Sequence, residues 1–375
     1  MKLRGISVKR LGAGVALLSV LGAAGAWAVR AQNASAPVYN VASDGALSAS
    51  AIRAAVDPLF EDAAMGETRA LVVMHRGRIV AERYAPGFGP ETKLLSWSIA
   101  KSVTAVLVGL MVSDGRLGLD SPVPVDAWSQ PGDPRGRITL RQLLTMTSGL
   151  DHVEEARPVE RGDTARMLFT DGAQDMAAYA EAKPLAHAPG STFSYSTGST
   201  TILSELMARQ LTSSHDPDAR RRAMQMFIDG RLKAPARLDS LTVEYDAAGT
   251  MAAGSFLHMT ARDYARFGEL LRQRGRSPNG HQIVPEKWID FMRTPSPRNP
   301  AYGAHLWLNR ASGESALMPG LAPQSLFGCA GHNGQYILVS PGQKLTVVRI
   351  GMSPRKDQRD ALKAGLARLI GAFAG

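Results

Sequence analysis

Ser98-Ile99-Ala100-Lys101 places a serine and a lysine three residues apart at the start of a strongly apolar run, Val103 to Met111. On a helix, positions i and i+3 share one face, so the lysine amine stands beside the serine hydroxyl. A hydroxyl is a poor nucleophile until a base takes its proton, and a lysine serves as that base only where burial lowers its pKa. The apolar run covers nearly every side of its helix, which is the pattern of a central helix and predicts a partly buried pair. The chemistry implied is attack by the Ser98 hydroxyl with Lys101 as base. Taken singly, each residue has an ordinary reading: Ser98 as an N-cap, Lys101 as a surface lysine lying along apolar surface. The same spacing recurs at Ser353-Pro354-Arg355-Lys356. There Pro354 and the neighbouring charges predict a solvated turn before the last helix, and no chemistry.

Such a pair needs a group that passes the proton to the leaving group, and Tyr195 is the best placed. It lies in Pro189-Gly190-Ser191-Thr192-Phe193-Ser194-Tyr195-Ser196-Thr197-Gly198, a loop leading into a predicted helix over 200–211. Beside a lysine ammonium its phenol pKa is expected to fall. An oxyanion hole is also required, two backbone N–H groups aimed at the charge that develops on a carbonyl oxygen. Ser98 offers one at its helix N-terminus. Phe327-Gly328-Cys329-Ala330-Gly331-His332 offers the small residues that let a substrate lie against a strand backbone.

The elements that must position these groups come from both ends of the chain. Residues 70–75 and 78–84 read as strands joined at Arg76-Gly77. Near the other end, 325–331, 335–340 and 344–350 read as strands with turns at Asn333-Gly334 and Pro341-Gly342. Residues 357–373 form an amphipathic closing helix with Leu362, Leu366, Leu369 and Ile370 on one stripe. Between these ends, 140–146, 200–211, 219–232, 261–274 and 285–292 have helical periodicity. The predicted fold is α/β: one antiparallel sheet built from both chain ends and flanked by helices, with a mostly helical insertion at about 116–250. A cleft between the two parts is the expected place for a small-molecule site.

Composition bounds the rest. The chain has 375 residues, 45% hydrophobic and 20% charged, the profile of a globular protein. Lys2, Arg4, Lys9 and Arg10 precede an uncharged run over 11–29 that contains Ala26-Trp27-Ala28, a small-x-small site. Residues 1–36 therefore read as a secretory leader or an N-terminal anchor, with 37–375 as the folded domain. Export to the periplasm or beyond is expected, with a tether to the inner membrane through 11–29 as the alternative. Cys329 is the single cysteine, so no internal disulfide forms. The formal charge of +10 includes the four leader cations, and the remaining basic residues are dispersed, which argues against nucleic acid as a partner. The eight histidines are scattered without ligand spacing, so neither a metal nor another cofactor is expected. No feature of the sequence sets an oligomeric state.

On these residues the chain resembles the class C β-lactamase, DD-peptidase and esterase family of penicillin-recognising serine hydrolases, over essentially the whole length beyond the leader. Ser98 to Lys101 is similar to its first motif. Ile138 to Leu150 resembles the run after its first helix, and Met259 to Gly268 is also similar family text. Tyr195-Ser196-Thr197 stands at its Tyr-x-Asn motif, and Tyr302 to Trp307 resembles a strand near its pocket. Trp97 and Gly331-His332-Asn333-Gly334-Gln335 look most like the esterase and 6-aminohexanoate-oligomer hydrolase branch. The resemblance implies a β-lactamase/transpeptidase-like fold and a serine acyl-enzyme, with Ser98, Lys101 and Tyr195 catalytic. It implies an oxyanion hole from Ser98 and His332, and substrate contacts from Trp97, Thr197, Cys329 and Gly331.

Two departures qualify the substrate. Thr197 replaces the motif asparagine. The third motif falls either on Cys329-Ala330-Gly331, with the His332 N–H as donor, or on His332-Asn333-Gly334, with Gln335 as donor; the first is preferred because Asn333-Gly334 is needed for the turn. That register lacks the family's cation, which weighs against carboxylate-bearing β-lactams. Between Leu150 and Tyr195 the only tyrosine is Tyr179, which weighs against specific cleavage of nylon oligomers. The expected substrate is a small carboxylic ester or amide. The alternatives are a DD-peptidase or β-lactamase, and a non-catalytic, membrane-tethered binding protein.

Overall fold

The structure is a computed structural model that describes residues 38–45 and 47–373. The leader read in 1–36 lies outside the described residues, among which no helix is long and apolar enough to cross a membrane. A seven-stranded sheet is built from β1 (Tyr39–Val41), β2 (Glu67–His75), β3 (Arg78–Tyr84), β7 (Trp307–Leu308), β8 (Phe327–Gly331), β9 (Gln335–Ser340) and β10 (Leu345–Met352). Its order is β1-β3-β2-β10-β9-β8-β7, and every pairing is antiparallel. Both ends of the chain supply it, as the two sets of hairpin signals predict. Arg76 and Gly77 at one turn, and Asn333 and Gly334 at another, take the positive φ angles that tight hairpins need.

The sheet is covered on both faces, which is why its central strands are apolar without alternation. In β2, Ala70, Val72 and Met74 join one core, while Leu71 and Val73 join the other. The second core is closed by α1 (Ala49–Val56) and by α10 (Lys356–Ala372), whose Leu362, Leu366, Leu369 and Ile370 are the predicted stripe. The first core holds α2 (Ile99–Ser113), buried at every position from Ile99 to Met111. Around α2 lie α3 (Leu140–Leu144), α4 (Asp163–Phe169), α5 (Met176–Glu181), α6 (Thr197–Leu211), α7 (Pro217–Ile228), α8 (Ala261–Arg272) and α9 (Glu286–Met292).

Several elements depart from expectation, each for a local reason. The sixth helix starts three residues early because Ser196 accepts a hydrogen bond from the Ser199 N–H at 3.0 Å, fixing the start at Thr197. The third helix stops at Leu144, and Met146 then turns to φ 57°. A second, three-stranded sheet was not foreseen: β4 (Leu94–Leu95) and β5 (Thr242–Val243) pair on either side of β6 (Leu257–Met259). Runs of two or three residues carry no periodic signal. In the resembled run from Tyr302, only Trp307–Leu308 is strand, and His305 lies at φ 58°. Ser353 is not solvated: it is fully buried, and its hydroxyl bonds the Met65 carbonyl at 2.6 Å and the Arg349 guanidinium at 3.0 Å. Lys356 of that second Ser-x-x-Lys is exposed at a helix start, as expected.

The close seat of α2 depends on Gly109. A Cβ there would lie 2.2 Å from Trp288 Nε1, whose N–H donates to the Ala105 carbonyl at 2.9 Å. Gly109→Ala forces the indole away and breaks that bond. The expected cost is about 1–3 kcal/mol, read as a lower denaturation midpoint with an unchanged m-value.

Candidate active site

Ser98 enters α2 from a tight turn that Ser96 holds in place. The Ser96 N–H donates to the Leu257 carbonyl at 2.8 Å, and its hydroxyl accepts the Leu257 N–H at 3.1 Å while reaching the Trp97 and Ser255 carbonyls at 2.9 and 3.1 Å. Between them Trp97 takes φ 45°, a left-handed conformation that costs a bulky residue roughly 1–3 kcal/mol. Ser98 occupies the N-cap position, but its hydroxyl makes no capping bond. That leaves the hydroxyl free for Lys101.

Lys101 is 1% exposed and so is no surface lysine. Its Nζ makes three hydrogen bonds, to Ser98 Oγ at 2.9 Å, Thr197 Oγ1 at 2.8 Å and the Gly254 carbonyl at 3.0 Å. Burial lowers its pKa to about 8, against the pull of the Glu154 carboxylate 4.0 Å away. The Tyr195 ring lies 5.0 Å from Nζ, stacks on Trp307 and meets Tyr302 edge-on. Its expected fall in pKa is overturned. Burial raises the phenol far above its ordinary value, the negative charge of Glu154 adds to this, and a hydrogen bond with Ser98 offsets only part of it.

Glu154 escaped the sequence reading. One carboxylate oxygen accepts the Thr197 hydroxyl at 2.6 Å; the other accepts the Thr197 N–H at 2.6 Å and the Thr164 hydroxyl at 2.8 Å, with His152 Nε2 at 3.3 Å. Burial opposes the ionised form, but Lys101, His152 and Thr197 together hold its pKa down to about 2. Nothing in a loop with two adjacent acids distinguishes this one in sequence. Gly254, the third partner of Lys101, sits 153 residues away along the chain and has no motif around it.

The strand side of the site is set by Gly331. A Cβ there would lie 2.7 Å from the Ser96 carbonyl oxygen and 3.4 Å from Trp97 Cβ, so the end of β8 comes up against the turn that carries Ser98. Because β7 pairs only with Phe327 and Gly328, the edge from Cys329 to Gly331 has no strand beside it there. Neither the Ser98 nor the His332 N–H donates to a backbone carbonyl among the described residues. By contrast Gly334 packs on Leu362, Ser353 and Arg349, away from the site. Gln335 is 3% exposed; in the amide orientation that satisfies both ends it accepts from Trp97 Nε1 at 3.3 Å and donates to the Leu95 carbonyl at 3.0 Å.

The expected substrate contacts divide. Trp97 is half-buried at the rim against Phe256 and His332, and Phe169, 60% exposed, extends that apolar wall. The Cys329 side chain points into the core, where burial pushes its thiol up to about 12, so only its backbone edge faces outward. Thr197 is 1% exposed with its hydroxyl engaged by Lys101 and Glu154, a supporting place and not an open contact.

Comparison with known proteins gives three findings. The family model described as Beta-lactamase matches residues 60–372. A 6-aminohexanoate-dimer hydrolase of Paenarthrobacter ureafaciens is 26% identical over 229 residues, 60% of this chain and 56% of that protein, so the chain spans little more than half the length of this curated relative. Among solved structures, a Bacillus anthracis protein provisionally named a 6-aminohexanoate-dimer hydrolase superposes with a TM-score of 0.67 at 22% identity, covering 85% of this chain and 83% of its own. EstCE1, a hydrolase with promiscuous acyltransferase activity, gives 0.61 at 16%, covering 87% and 98%. These two likenesses establish a shared fold.

The geometry generates one direct test. A Cβ on Gly254 would lie 2.6 Å from Thr197 Cγ2 and 3.6 Å from Lys101 Nζ. Gly254→Ala should displace both groups and lower hydrolase activity about 10²-fold, with circular dichroism reporting an intact fold.

Proposed function

This chain belongs to the β-lactamase family, and from that premise we propose that it is a serine hydrolase of small, neutral carboxylic esters, and of amides as a second class, acting through a Ser98 acyl-enzyme. The observation that carries the reading is the set of three partners on Lys101 Nζ. A neutral amine has two N–H donors and one lone pair. The Gly254 carbonyl only accepts, and the Thr197 proton is engaged by Glu154. The lone pair therefore falls to Ser98, whose proton it takes.

Ser98 Oγ attacks the carbonyl carbon while its proton passes to Lys101. The oxyanion is held by the Ser98 and His332 N–H groups; one such donor is typically worth about 10²–10³ in rate. On collapse Tyr195 gives its proton to the departing oxygen or nitrogen and is reprotonated from Lys101. A water then attacks the acyl-enzyme with the proton transfers reversed, releasing the acid and restoring Ser98. The high phenol pKa suits a donor that stays protonated until the leaving group draws the proton off.

The substrate class follows from what lines the site. The Cys329–Gly331 edge brings no cation, and the rim carries Glu155, 3.8 Å from His332. A carboxylate-bearing substrate finds no partner there, which disfavours the β-lactam and DD-peptidase reading, whereas the wall of Trp97, Phe256 and Phe169 suits an apolar group. The leader read in the sequence of residues 1–36 supports export of the 37–375 domain to the periplasm or beyond, free or tethered to the inner membrane.

The test is intact mass after brief exposure to an activated short-chain ester. Wild type should gain one acyl group and Ser98→Ala none; normal turnover by Ser98→Ala would end the reading. Tyr195→Phe separates the donor role. It should lose about 10²–10⁴ in rate on alkyl esters, whose leaving group needs a proton, and far less on nitrophenyl esters, whose leaving group does not.

A further inference from the structure

We propose that Glu154 is a positioning residue for Lys101: through Thr197 it fixes which partner the lysine's lone pair faces, and through its charge it stabilises the ammonium that forms when Ser98 gives up its proton. This rests on the reading of Ser98 as nucleophile and Lys101 as base, and assigns that machinery a fourth side chain.

The first part is an argument about a single proton. Thr197 can turn its hydroxyl hydrogen either toward Lys101 or away from it. Glu154 decides the matter, because an ionised carboxylate 2.6 Å from Thr197 Oγ1 only accepts. With the Thr197 hydrogen drawn away, both acceptors beside Lys101 demand an N–H, and the lone pair has one place left. Without Glu154 the threonine can donate to Lys101 instead, and the amine then has an arrangement in which its lone pair faces away from Ser98. The carboxylate is itself rigidly held. It accepts from the Thr197 N–H at 2.6 Å and the Thr164 hydroxyl at 2.8 Å, with His152 at 3.3 Å. Glutamine in its place reproduces neither the charge nor the double acceptance from Thr197, since one end of its amide must donate.

The second part concerns the lysine after proton transfer. An ammonium that is 1% exposed needs a counter-charge, and Glu154 is the carboxylate within 4.0 Å of it. The other titratable groups facing Lys101 do not take this role. The Tyr195 and Tyr302 phenols are raised by burial and stay protonated, the buried His305 ring is held neutral with its pKa down at about 3, and the Cys329 thiol is pushed up to about 12. His152 touches Glu154 through Nε2, and its Nδ1 is buried without a partner. Glu155 sits at the rim and is 80% exposed.

The experiment is the pH profile of kcat/KM on one alkyl ester for wild type, Glu154→Gln, Thr197→Val, Thr197→Ser and His152→Gln. Wild type should rise with pH through a limb near pH 8, where Lys101 loses its proton. Removing the negative charge favours the neutral amine, so the Glu154→Gln limb should move to lower pH by about one unit or more, while its plateau falls by about ten-fold or more. Thr197→Val keeps the charge and loses the hydroxyl; its plateau should fall with the limb in place. Thr197→Ser should restore the wild-type plateau.

A folded Glu154→Gln whose limb stays at the wild-type pH overturns the proposal, whatever its rate, since a merely structural loss lowers activity without moving a pKa. A limb that disappears in His152→Gln overturns it as well, by assigning the limb to a group other than Lys101. Should Glu154→Gln fail to fold, the threonine pair decides: equal activity in the valine and serine variants overturns the proposal. Acyl labelling of wild type keeps the two readings apart. If wild type acylates and the limb does not move, only the role of Glu154 falls; if Ser98→Ala acylates as well, the nucleophile itself is wrong.

Discussion

The site depends on taking a lysine out of water. Lys101 is enclosed by α2, α6 and the Gly254 loop, and burial favours its uncharged form, which is the form a base requires. Desolvation alone would leave an amine with nowhere to put its charge after accepting a proton. The structure offsets this with an anion held one hydroxyl away, Glu154 behind Thr197. The two opposing effects leave Lys101 with its pKa lowered to about 8. The remainder of the fold holds these few atoms within bonding range of Ser98.

That holding is done by backbone contacts more than by side chains that advertise themselves. Ser96 stitches the turn that carries Ser98 to Leu257 and Ser255, so the short sheet of β4, β5 and β6 serves as a clamp on the entry to α2. Gly331 lets the end of β8 approach the same turn from the other side. The hairpin carrying His332 is anchored in turn by Arg349. This fully buried guanidinium donates to the Gly334 and Glu67 carbonyls at 2.9 and 2.8 Å and to Thr68 Oγ1 at 3.0 Å. An unpaired buried cation is costly unless its donors are satisfied. Here the Gly334 bond falls on that hairpin, and the bonds to Glu67 and Thr68 tie it to β2.

What could be read in the sequence follows the range of the signal. The Ser98–Lys101 contact was legible because its cues are local: a three-residue spacing and a run of apolar residues that only a buried helix explains. The hairpins were legible for the same reason, since Arg76-Gly77 and Asn333-Gly334 specify their turns within two residues. The two-residue strands β4 and β5 were not, because their pairing partner β6 lies more than a dozen residues from either in sequence and their length leaves no period to detect. Glu154 and Gly254 were invisible for a deeper reason. Each acts on Lys101 by proximity alone, one as an ordinary loop acid and the other as a carbonyl that any residue carries. The mistaken direction for Tyr195 has the same origin. Its neighbour Lys101 was visible in the sequence, but the burial that dominates the phenol and the Glu154 charge that adds to it were not.

The strain at Trp97 bears on why the Ser98 hydroxyl is left uncapped. A left-handed residue immediately before a helix turns the chain sharply, so Ser98 arrives at the N-terminus with its hydroxyl uncommitted to capping. A relaxed turn would let Ser98 do what serines at that position ordinarily do and accept a hydrogen bond from its own helix. The left-handed conformation is stabilised by three contacts of the same residue: its indole N–H on Gln335, its ring against Phe256, and its edge against His332. Trp97 thereby joins two requirements that are separable in principle. The turn that frees the Ser98 hydroxyl and the apolar wall beside it share this one residue, so a change at Trp97 is felt in both.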